Sequence, residues 1–257
     1  GVTPAARPLR ILLAEDNAVN QRLAVRVLEP RGHSILVVSN GLEAVEAFEQ
    51  RAFDVVLMDV EMPGMDGLQA TAAIRERERA TGGRVPIIAM TAHAMAGSRE
   101  QCIEANMDGY IAKPLRPQEL IAEVEGAVGS EAEPTPGAPS GPSTDGILDA
   151  PALLARVSGS RDTLRELLDL FDADYPGLLS QARDAALAGD RATLQRAAHS
   201  LKGMAATFSA PRALAATVHL EDVCREGDPA LVEAACREVE QEIERLQPAL
   251  RALSGEG

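Results

Sequence analysis

Residues 54–67, with the sequence DVVLMDVEMPGMDG, carry the pattern that decides the fold of the first half of the chain. The apolar run at 55–58 is short and begins with two β-branched residues, which is typical of a strand buried on both faces of a sheet. The run ends on Asp59, and the proline and glycines that follow predict a loop. A carboxylate in this position lies at the edge where α/β sheets bind ligands, although aspartate also commonly caps a loop. The choice depends on which other groups reach this edge.

Length and charge limit the possible functions. With 257 residues the chain is longer than a usual single domain, so we expect two domains. The formal net charge of −14 argues against nucleic-acid binding and against contact with an anionic membrane surface, because both need a basic face. The three cysteines lack metal-type spacing, and no secretory or membrane-spanning segment is evident. These features predict reduced thiols in a cytoplasmic protein.

Five apolar runs alternate with five amphipathic segments in the first half of the chain. The predicted strands are 9–14, 35–38, 55–59, 86–90 and 110–112, and the predicted helices are 17–28, 41–50, 66–79, 97–106 and 117–128. Short connections in this alternating order predict an α/β domain with a five-stranded, doubly wound parallel sheet of the flavodoxin-like type.

The carboxyl ends of parallel strands share one edge of the sheet, and five functional groups are expected there. They are Glu15, Asp16, Asp59, Thr91 and Lys113. Crowded carboxylates repel each other, and burial raises their pKa values unless a cation joins them, so we predict a Mg²⁺ site. Lys113 and the metal would neutralise the oxygens of an incoming phosphoryl group, and Thr91 would donate a hydrogen bond to it. Asp59 would then be the nucleophile that forms an acyl phosphate.

Four segments resemble a response-regulator receiver domain of the kind attached to hybrid histidine kinases. In order over residues 8–128 they are ILLAEDN, VVLMDVEMPGMDG, PIIAMTAHA and MDGYIAKPL. The resemblance implies that Asp59 is the phosphoacceptor and that Asp16 and Asp59 bind the metal directly. The further roles it implies are Glu15 as a ligand through water, the carbonyl of Glu61 as a ligand, Thr91 and Lys113 as phosphoryl contacts, Tyr110 as the switch aromatic and a cis Lys113–Pro114 bond.

Two positions depart from the usual receiver pattern. Asn106 lies where such domains usually carry glycine, and asparagine is the next best residue for a left-handed backbone. Glu61 places a fourth carboxylate two residues after Asp59. We hypothesise that its charge slows the attack of water on the acyl phosphate.

The second half of the chain has a different composition. Residues 129–146 are rich in Pro, Gly, Ser, Thr and Ala and predict a flexible tether. We therefore divide the chain into a linker end at 1–8, a first domain at 9–128, the tether at 129–146 and a second domain at 147–257. The second domain shows long amphipathic helices with short loops, which predict an antiparallel bundle. Pro176 should kink or split the longest of these helices.

Residues 197–208, AAHSLKGMAATF, carry the chemistry of the second domain. His199, Lys202 and Gly203 are spaced to share one helix face. Glycine in the middle of a helix lowers helix stability by about 0.5–1 kcal/mol relative to alanine. Its presence would be explained if the missing side chain leaves room for a docking partner beside an exposed imidazole. The alternative is that His199 is an ordinary surface histidine and that Gly203 only lets two helices approach each other.

The stretch HSLKG resembles the signature of histidine phosphotransfer (HPt) domains, and the surrounding helix lengths extend the resemblance over about residues 148–253. It implies that His199 is phosphorylated and that Lys202 helps to neutralise the phosphoryl group. Ser209 lies where the family commonly has glycine, and we expect it to alter local helix packing but not phosphorylation.

The sequence therefore predicts a phosphorelay module, either the C-terminal part of a hybrid histidine kinase or the cytoplasmic tail of a larger membrane-bound one. Asp59 would accept phosphate from a kinase transmitter domain, His199 would receive it, and a downstream response regulator receiver domain would be the next acceptor. The sequence shows no ATP-binding motif of a kinase. One alternative is a metal-dependent phosphohydrolase of the haloacid-dehalogenase type, disfavoured because the nucleophile of those enzymes follows the first strand. A second alternative is a docking module without phosphotransfer.

Overall fold

The computed structural model describes residues 4–92, 102–128 and 146–255. The chain divides into two compact units, Gly1–Ala138 and Pro139–Gly257. Apart from its last residue, the predicted tether at 129–146 lies outside the described residues, as does the first half of the predicted helix at 97–106. Among the described helices, none has both the length and the apolar character needed to cross a bilayer.

The first unit is built on a parallel sheet. Its strands are β1 (Arg10–Ala14), β2 (Ser34–Val38), β3 (Val55–Asp59), β4 (Ile87–Thr91) and β5 (Gly109–Ala112). They lie in the order β2-β1-β3-β4-β5, and every neighbouring pair is parallel. The predicted five-stranded, doubly wound sheet is confirmed.

Four helices of the first unit are described in full. They are α1 (Ala18–Leu28), α2 (Gly41–Gln50), α3 (Gly67–Thr81) and α4 (Pro117–Gly126), with a short 3-10 turn at Glu29–Arg31. Asn17 caps α1, and its side chain accepts hydrogen bonds from the backbone of Val19 and Asn20. Each helix begins within two residues of its predicted start, because capping residues and prolines mark those positions locally.

The loop after β3 depends on a glycine. A Cβ added to Gly67 would lie 2.0 Å from the carbonyl oxygen of Asp59, so no other residue fits without moving the backbone. The amide of Gly67 donates to the carbonyl of Val60 at 3.0 Å, which closes the loop against the end of β3. This close approach fixes the start of α3 directly beside Asp59.

The opposite edge of the sheet is tied together by a buried arginine. Arg75 on α3 donates to Glu78 Oε2 at 2.5 Å, to Asp108 Oδ2 at 2.5 Å and to the carbonyl of Asn106 at 3.0 Å. Asn106 has a positive φ of 61°, so the left-handed conformation predicted for it is confirmed. The arginine therefore holds the turn that leads into β5.

The second unit is helical throughout its described part. Its helices are α5 (Ala150–Arg156), α6 (Arg161–Ala188), α7 (Arg191–Thr207), α8 (Pro211–Glu226) and α9 (Pro229–Ser254). The long helices pack in a ring, α6 against α7, α7 against α8, α8 against α9 and α9 against α6. This arrangement is the predicted helical bundle.

Helix α6 runs through Pro176 without interruption, so the predicted splitting at this proline is wrong. Proline removes only one backbone donor, and buried residues such as Phe171 and Leu179 anchor the helix to the bundle on both sides of it. Packing of these flanking turns maintains the helix. The other predicted outcome, a kink, stays a prediction.

The conformation of Asn106 leads to a stability prediction. Asn106→Ala should lower the free energy of unfolding of the first unit by roughly 1 kcal/mol, because alanine pays the full left-handed penalty. Asn106→Gly should change it by less than about 0.5 kcal/mol, because glycine adopts this conformation freely but loses more entropy on folding. Hydrogen exchange of β4 and β5 peptides in a urea series measures both values, with the exposed Glu104→Ala as control. Equal stability of the alanine and glycine variants would contradict this account.

Candidate functional site

Three strand ends bring an ion cluster together at one edge of the sheet. Lys113 Nζ lies 2.6 Å from Asp59 Oδ2 and 2.7 Å from Glu15 Oε2. Asp59 is the last residue of β3, Glu15 follows β1, and Lys113 follows β5. The Lys113–Pro114 peptide bond is cis, as the resemblance implied. The structure therefore brings three of the five groups predicted at this edge into contact, namely Glu15, Asp59 and Lys113.

The donor set of the cluster fits a hard divalent cation. One carboxylate oxygen each of Glu15, Asp16 and Asp59 lies within 4.8 Å of the others. Glu15 and Asp59 are buried and Asp16 is half-buried. Mg²⁺ prefers oxygen ligands and is often bound by one or two carboxylates that leave room for phosphate oxygens and water.

The electrostatics of the cluster show a shortage of positive charge. Burial and the nearby charge of Glu15 raise the pKa of Asp59 to about 8, although Lys113 opposes this effect. Burial alone would lower the pKa of Lys113, but the charges of Glu15 and Asp59 outweigh it and raise this pKa above its ordinary value. One lysine thus compensates the buried carboxylates only in part, and a second cation would complete the balance.

Residues of α1 fix the orientation of Glu15. Its Oε1 accepts from the amide side chain of Asn20 at 3.1 Å and from the backbone of Asn17 at 3.3 Å. Asn20 is buried with 4% exposure and was not identified from the sequence. The sequence shows that Asn20 is a polar residue next to the apolar stripe of α1. Only the structure shows that its role is to contact Glu15.

Thr91, Glu61 and Tyr110, the other residues predicted to act at this edge, differ in their burial and hydrogen bonds. Thr91 is buried at the end of β4, and its carbonyl accepts from the backbone of Lys113 at 2.7 Å. The backbone of Glu61 donates to Asp59 Oδ1 at 3.2 Å, while its side chain is exposed. Tyr110 is half-buried against the core. The roles of these residues, including the Glu61 carbonyl as a ligand, stay predictions.

A second polar cluster surrounds His199 in the bundle. His199 Nδ1 lies 3.1 Å from Glu221 Oε1, and Lys202 Nζ lies 2.6 Å from Glu221 Oε2. His199 and Lys202 belong to α7 and Glu221 to the neighbouring α8. The His199 side chain is 16% exposed, so it reaches the surface without being an isolated surface histidine.

Glu221 organises this cluster. Burial favours its neutral form, but hydrogen bonds with His199 and Lys202 outweigh that effect and lower its pKa to about 2. An ionised Glu221 can only accept a hydrogen bond, so in a neutral His199 this contact favours the tautomer that carries the proton on Nδ1 and a lone pair on Nε2. Glu221 was not identified from the sequence because it lies on a different helix, 22 residues after His199.

Two other described histidines lack this combination of partners. His33 is buried, accepts from the backbone of Leu9 at 3.2 Å and lies 3.3 Å from Glu125, so it ties elements of the first unit together. His219 pairs with Glu238 at 2.9 Å, but both side chains are more than half exposed. His33 is therefore a structural residue and His219 a surface residue. His93 lies outside the described residues.

The sheet with its buried aspartate and the bundle with its supported histidine define a class of signalling protein that joins two phosphate-accepting domains on one chain. Residues 11–125 match the family model described as the response regulator receiver domain. Residues 166–249 match the model described as the Hpt domain. The chain therefore belongs, over these two ranges, to the receiver-domain family followed by the Hpt-domain family.

Histidine kinases are among the relatives. The sensor histidine kinase GacS of Pseudomonas protegens is 32% identical over 260 residues, covering 97% of this chain and 28% of that protein. Probable histidine kinase 1 of Oryza sativa subsp. indica is 42% identical over 147 residues, covering 46% of this chain and 15% of that protein. The chain thus spans less than a third of the length of either relative.

A solved structure resembles the first unit. It is the receiver domain of sensor histidine kinase PA1611 from Pseudomonas aeruginosa PAO1, with a magnesium ion coordinated in its active-site cleft. It is 41% identical, covers 48% of this chain and 100% of that chain, and gives a TM-score of 0.45.

The Glu221 cluster leads to a pH-dependent prediction. Because folding lowers the pKa of Glu221 from 4.5 to about 2, its ionised form stabilises the bundle fully above pH 4.5. This contribution should be lost as the pH falls from 4.5 towards 2, so wild type and Glu221→Gln should converge in stability there. Hydrogen exchange of α7 and α8 peptides in a urea series at each pH measures the difference.

The chain offers a matched control for this experiment. Glu238 also pairs with a histidine on a neighbouring element, but its side chain is 52% exposed. Glu238→Gln should therefore show little pH-dependent difference from wild type, because solvent screens exposed pairs. A pH dependence as large for Glu238→Gln as for Glu221→Gln would refute the special role of Glu221.

Proposed function

We propose that the chain is a phosphorelay module in which Asp59 accepts a phosphoryl group and His199 receives it from Asp59. The observation that carries this proposal is the contact of Lys113 with both Asp59 and Glu15. Because of this contact, the buried carboxylate of Asp59 lies next to a lysine that can bind phosphate oxygens and a second carboxylate that can bind a cation. The receiver and Hpt family matches supply the order of the two domains.

In the first transfer, a carboxylate oxygen of Asp59 attacks the phosphorus atom of a phosphohistidine. The bond between nitrogen and phosphorus breaks, an acyl phosphate forms, and the donor histidine regains its lone pair. Lys113 moves with its charge from Asp59 to the phosphoryl oxygens, and Thr91 donates a hydrogen bond from the neighbouring strand end. Glu15, Asp16 and Asp59 would hold Mg²⁺, which supplies positive charge to the transferred group.

In the second transfer, Nε2 of His199 attacks the phosphorus atom of the Asp59 acyl phosphate. The oxygen–phosphorus bond breaks, Asp59 regains its carboxylate, and a phosphohistidine forms. Glu221 supports this step because it keeps the proton of His199 on Nδ1 and stabilises the positive charge that develops on the ring. Lys202 neutralises phosphoryl oxygens from the same helix face.

The partners follow from this chemistry. The donor is the phosphohistidine of a histidine kinase transmitter domain on the same or another chain, and the final acceptor is the receiver domain of a downstream response regulator. We assign the module to the cytoplasm, where kinase domains find ATP. The relative GacS of Pseudomonas protegens is named as a sensor histidine kinase, and this chain covers 28% of its length.

A labelling experiment with a small phosphodonor tests the proposal. With acetyl phosphate and Mg²⁺, wild type should carry acyl phosphate on Asp59 and acid-labile phosphate on His199. Asp59→Asn should carry neither, His199→Gln should keep only the acyl phosphate, and chelation of Mg²⁺ should abolish both. His219→Gln is the matched control and should label like wild type. Phosphate on His199 in the Asp59→Asn chain would contradict the proposed order.

The same experiment distinguishes transfer within a chain from transfer between chains. A mixture of Asp59→Ala and His199→Gln chains can label His199 only by transfer between molecules. Comparison of its rate with that of wild type at several concentrations gives the contribution of each route.

Glu61 leads to a separate prediction about the lifetime of the acyl phosphate. Its backbone amide donates to Asp59 Oδ1 and its side chain is exposed beside the site. Glu61→Gln should shorten the half-life of the Asp59 phosphate by roughly threefold, because one negative charge at the surface changes the barrier by less than about 1 kcal/mol. The decay is measured in the His199→Gln background to prevent onward transfer. An unchanged half-life would refute the hypothesis.

The two other functional hypotheses make different predictions. A phosphohydrolase would release phosphate from a small phosphate ester with turnover, yet Asp59 ends the third strand, whereas the nucleophile of those enzymes follows the first. A docking module would signal normally with His199→Gln. Loss of signalling in that variant, without ester hydrolysis by wild type, would favour the relay.

A further inference from the structure

The last residue of the short helix α5 reaches the end of the helix that carries His199. Arg156 Nη1 lies 2.7 Å from the carbonyl oxygen of Ala206, 2.5 Å from that of Thr207 and 2.9 Å from Ser209 Oγ. The last carbonyls of a helix lack the usual intrahelical partners and carry partial negative charge. The guanidinium of Arg156 therefore caps the carboxyl end of α7.

A backbone contact joins the same two segments. The amide of Asp149 donates to the carbonyl of Ser209 at 2.9 Å, and the Asp149 side chain caps α5. Ser209 has a positive φ of 52°, a conformation that side-chain-bearing residues rarely adopt. The Ser209 hydroxyl contacts Arg156, and a glycine at this position would have no hydroxyl to make that contact. This contact is how Ser209 affects the local packing of the helices.

We propose that Arg156 is a positioning residue for phosphotransfer through His199. By capping α7 it keeps the last two turns of the helix formed, and with them the alignment of Lys202 and His199 towards Glu221. This inference rests on the proposed function of His199. The Hpt family match begins at residue 166, so α5 lies outside the range that the match covers.

The need for such a cap comes from the sequence of α7. Gly203 lies between His199 and the end of the helix, and glycine is a weak helix former. A terminal segment that contains glycine frays readily unless tertiary contacts hold it. Lys202 directly precedes this weak point, so fraying from the carboxyl end would reach its ion pair with Glu221 first.

Hydrogen exchange on the full chain tests the positioning role. Arg156→Met should raise the exchange rates of amides in residues 203–209 by roughly tenfold, because the lost bonds involve a charged donor. Arg156→Lys, which keeps the charge with fewer fixed donors, should restore part of the protection. Arg165→Met removes an exposed arginine of the next helix, whose partner is Asp162, and should leave these amides unchanged.

Phosphotransfer supplies the second measurement. After charging with acetyl phosphate and Mg²⁺, Arg156→Met should load Asp59 normally but pass phosphate to His199 several times more slowly, with partial rescue by Arg156→Lys. Unchanged exchange of residues 203–209, or no rescue by lysine in either measurement, would overturn the proposal. If Arg156→Met does not fold, Ser209→Ala removes one acceptor alone, and unaltered exchange in that variant overturns it equally.

The two proposals fail separately. Absence of phosphate on His199 in wild type would refute the relay function while the exchange rates still report on the cap. Normal exchange with normal phosphotransfer in Arg156→Met would refute the positioning role and leave the relay intact.

Discussion

The ion cluster of Lys113 with Asp59 and Glu15 is the interaction on which the first unit depends. Two buried carboxylates would repel each other without a cation, and a buried lysine would be unstable without them. The parallel sheet resolves both problems, because it ends three strands at one edge. Asn20 orients Glu15 through a hydrogen bond, and Gly67 allows α3 to begin in close contact with Asp59.

The two units use carboxylate and lysine side chains in different roles. In the sheet, a carboxylate is the proposed nucleophile and a lysine stabilises its charge. In the bundle, the imidazole of His199 is the proposed nucleophile, and the carboxylate of Glu221 holds both its proton and Lys202. Each carboxylate is at least partly buried, and its hydrogen bonds and ion pairs are stronger there than they would be in water. In the proposed transfer from Asp59 to His199, the phosphoryl group would therefore leave one site with a lysine for another.

An arginine from a neighbouring helix supports a left-handed residue in both units. Arg75 donates to the carbonyl of Asn106, and Arg156 donates to the hydroxyl of Ser209. Neither residue is glycine, and both have positive φ values. These tertiary contacts stabilise backbone conformations that the local sequence disfavours. In the first unit they stabilise the turn before β5, and in the second the turn after α7.

The sequence determined the alternating strands and helices, the helix starts and the aligned strand ends, because periodicity, caps and prolines act over a few residues. It also determined that Glu15, Asp59 and Lys113 meet, since parallel strands can end only at a shared edge. The tertiary structure alone decided the partners that come from other helices: Glu221 beside His199 and Arg156 at the end of α7. Side-chain contacts between packed helices depend on their rotation and spacing, which no local pattern encodes. Packing likewise carried α6 through Pro176, because burial on both sides outweighed one missing hydrogen bond.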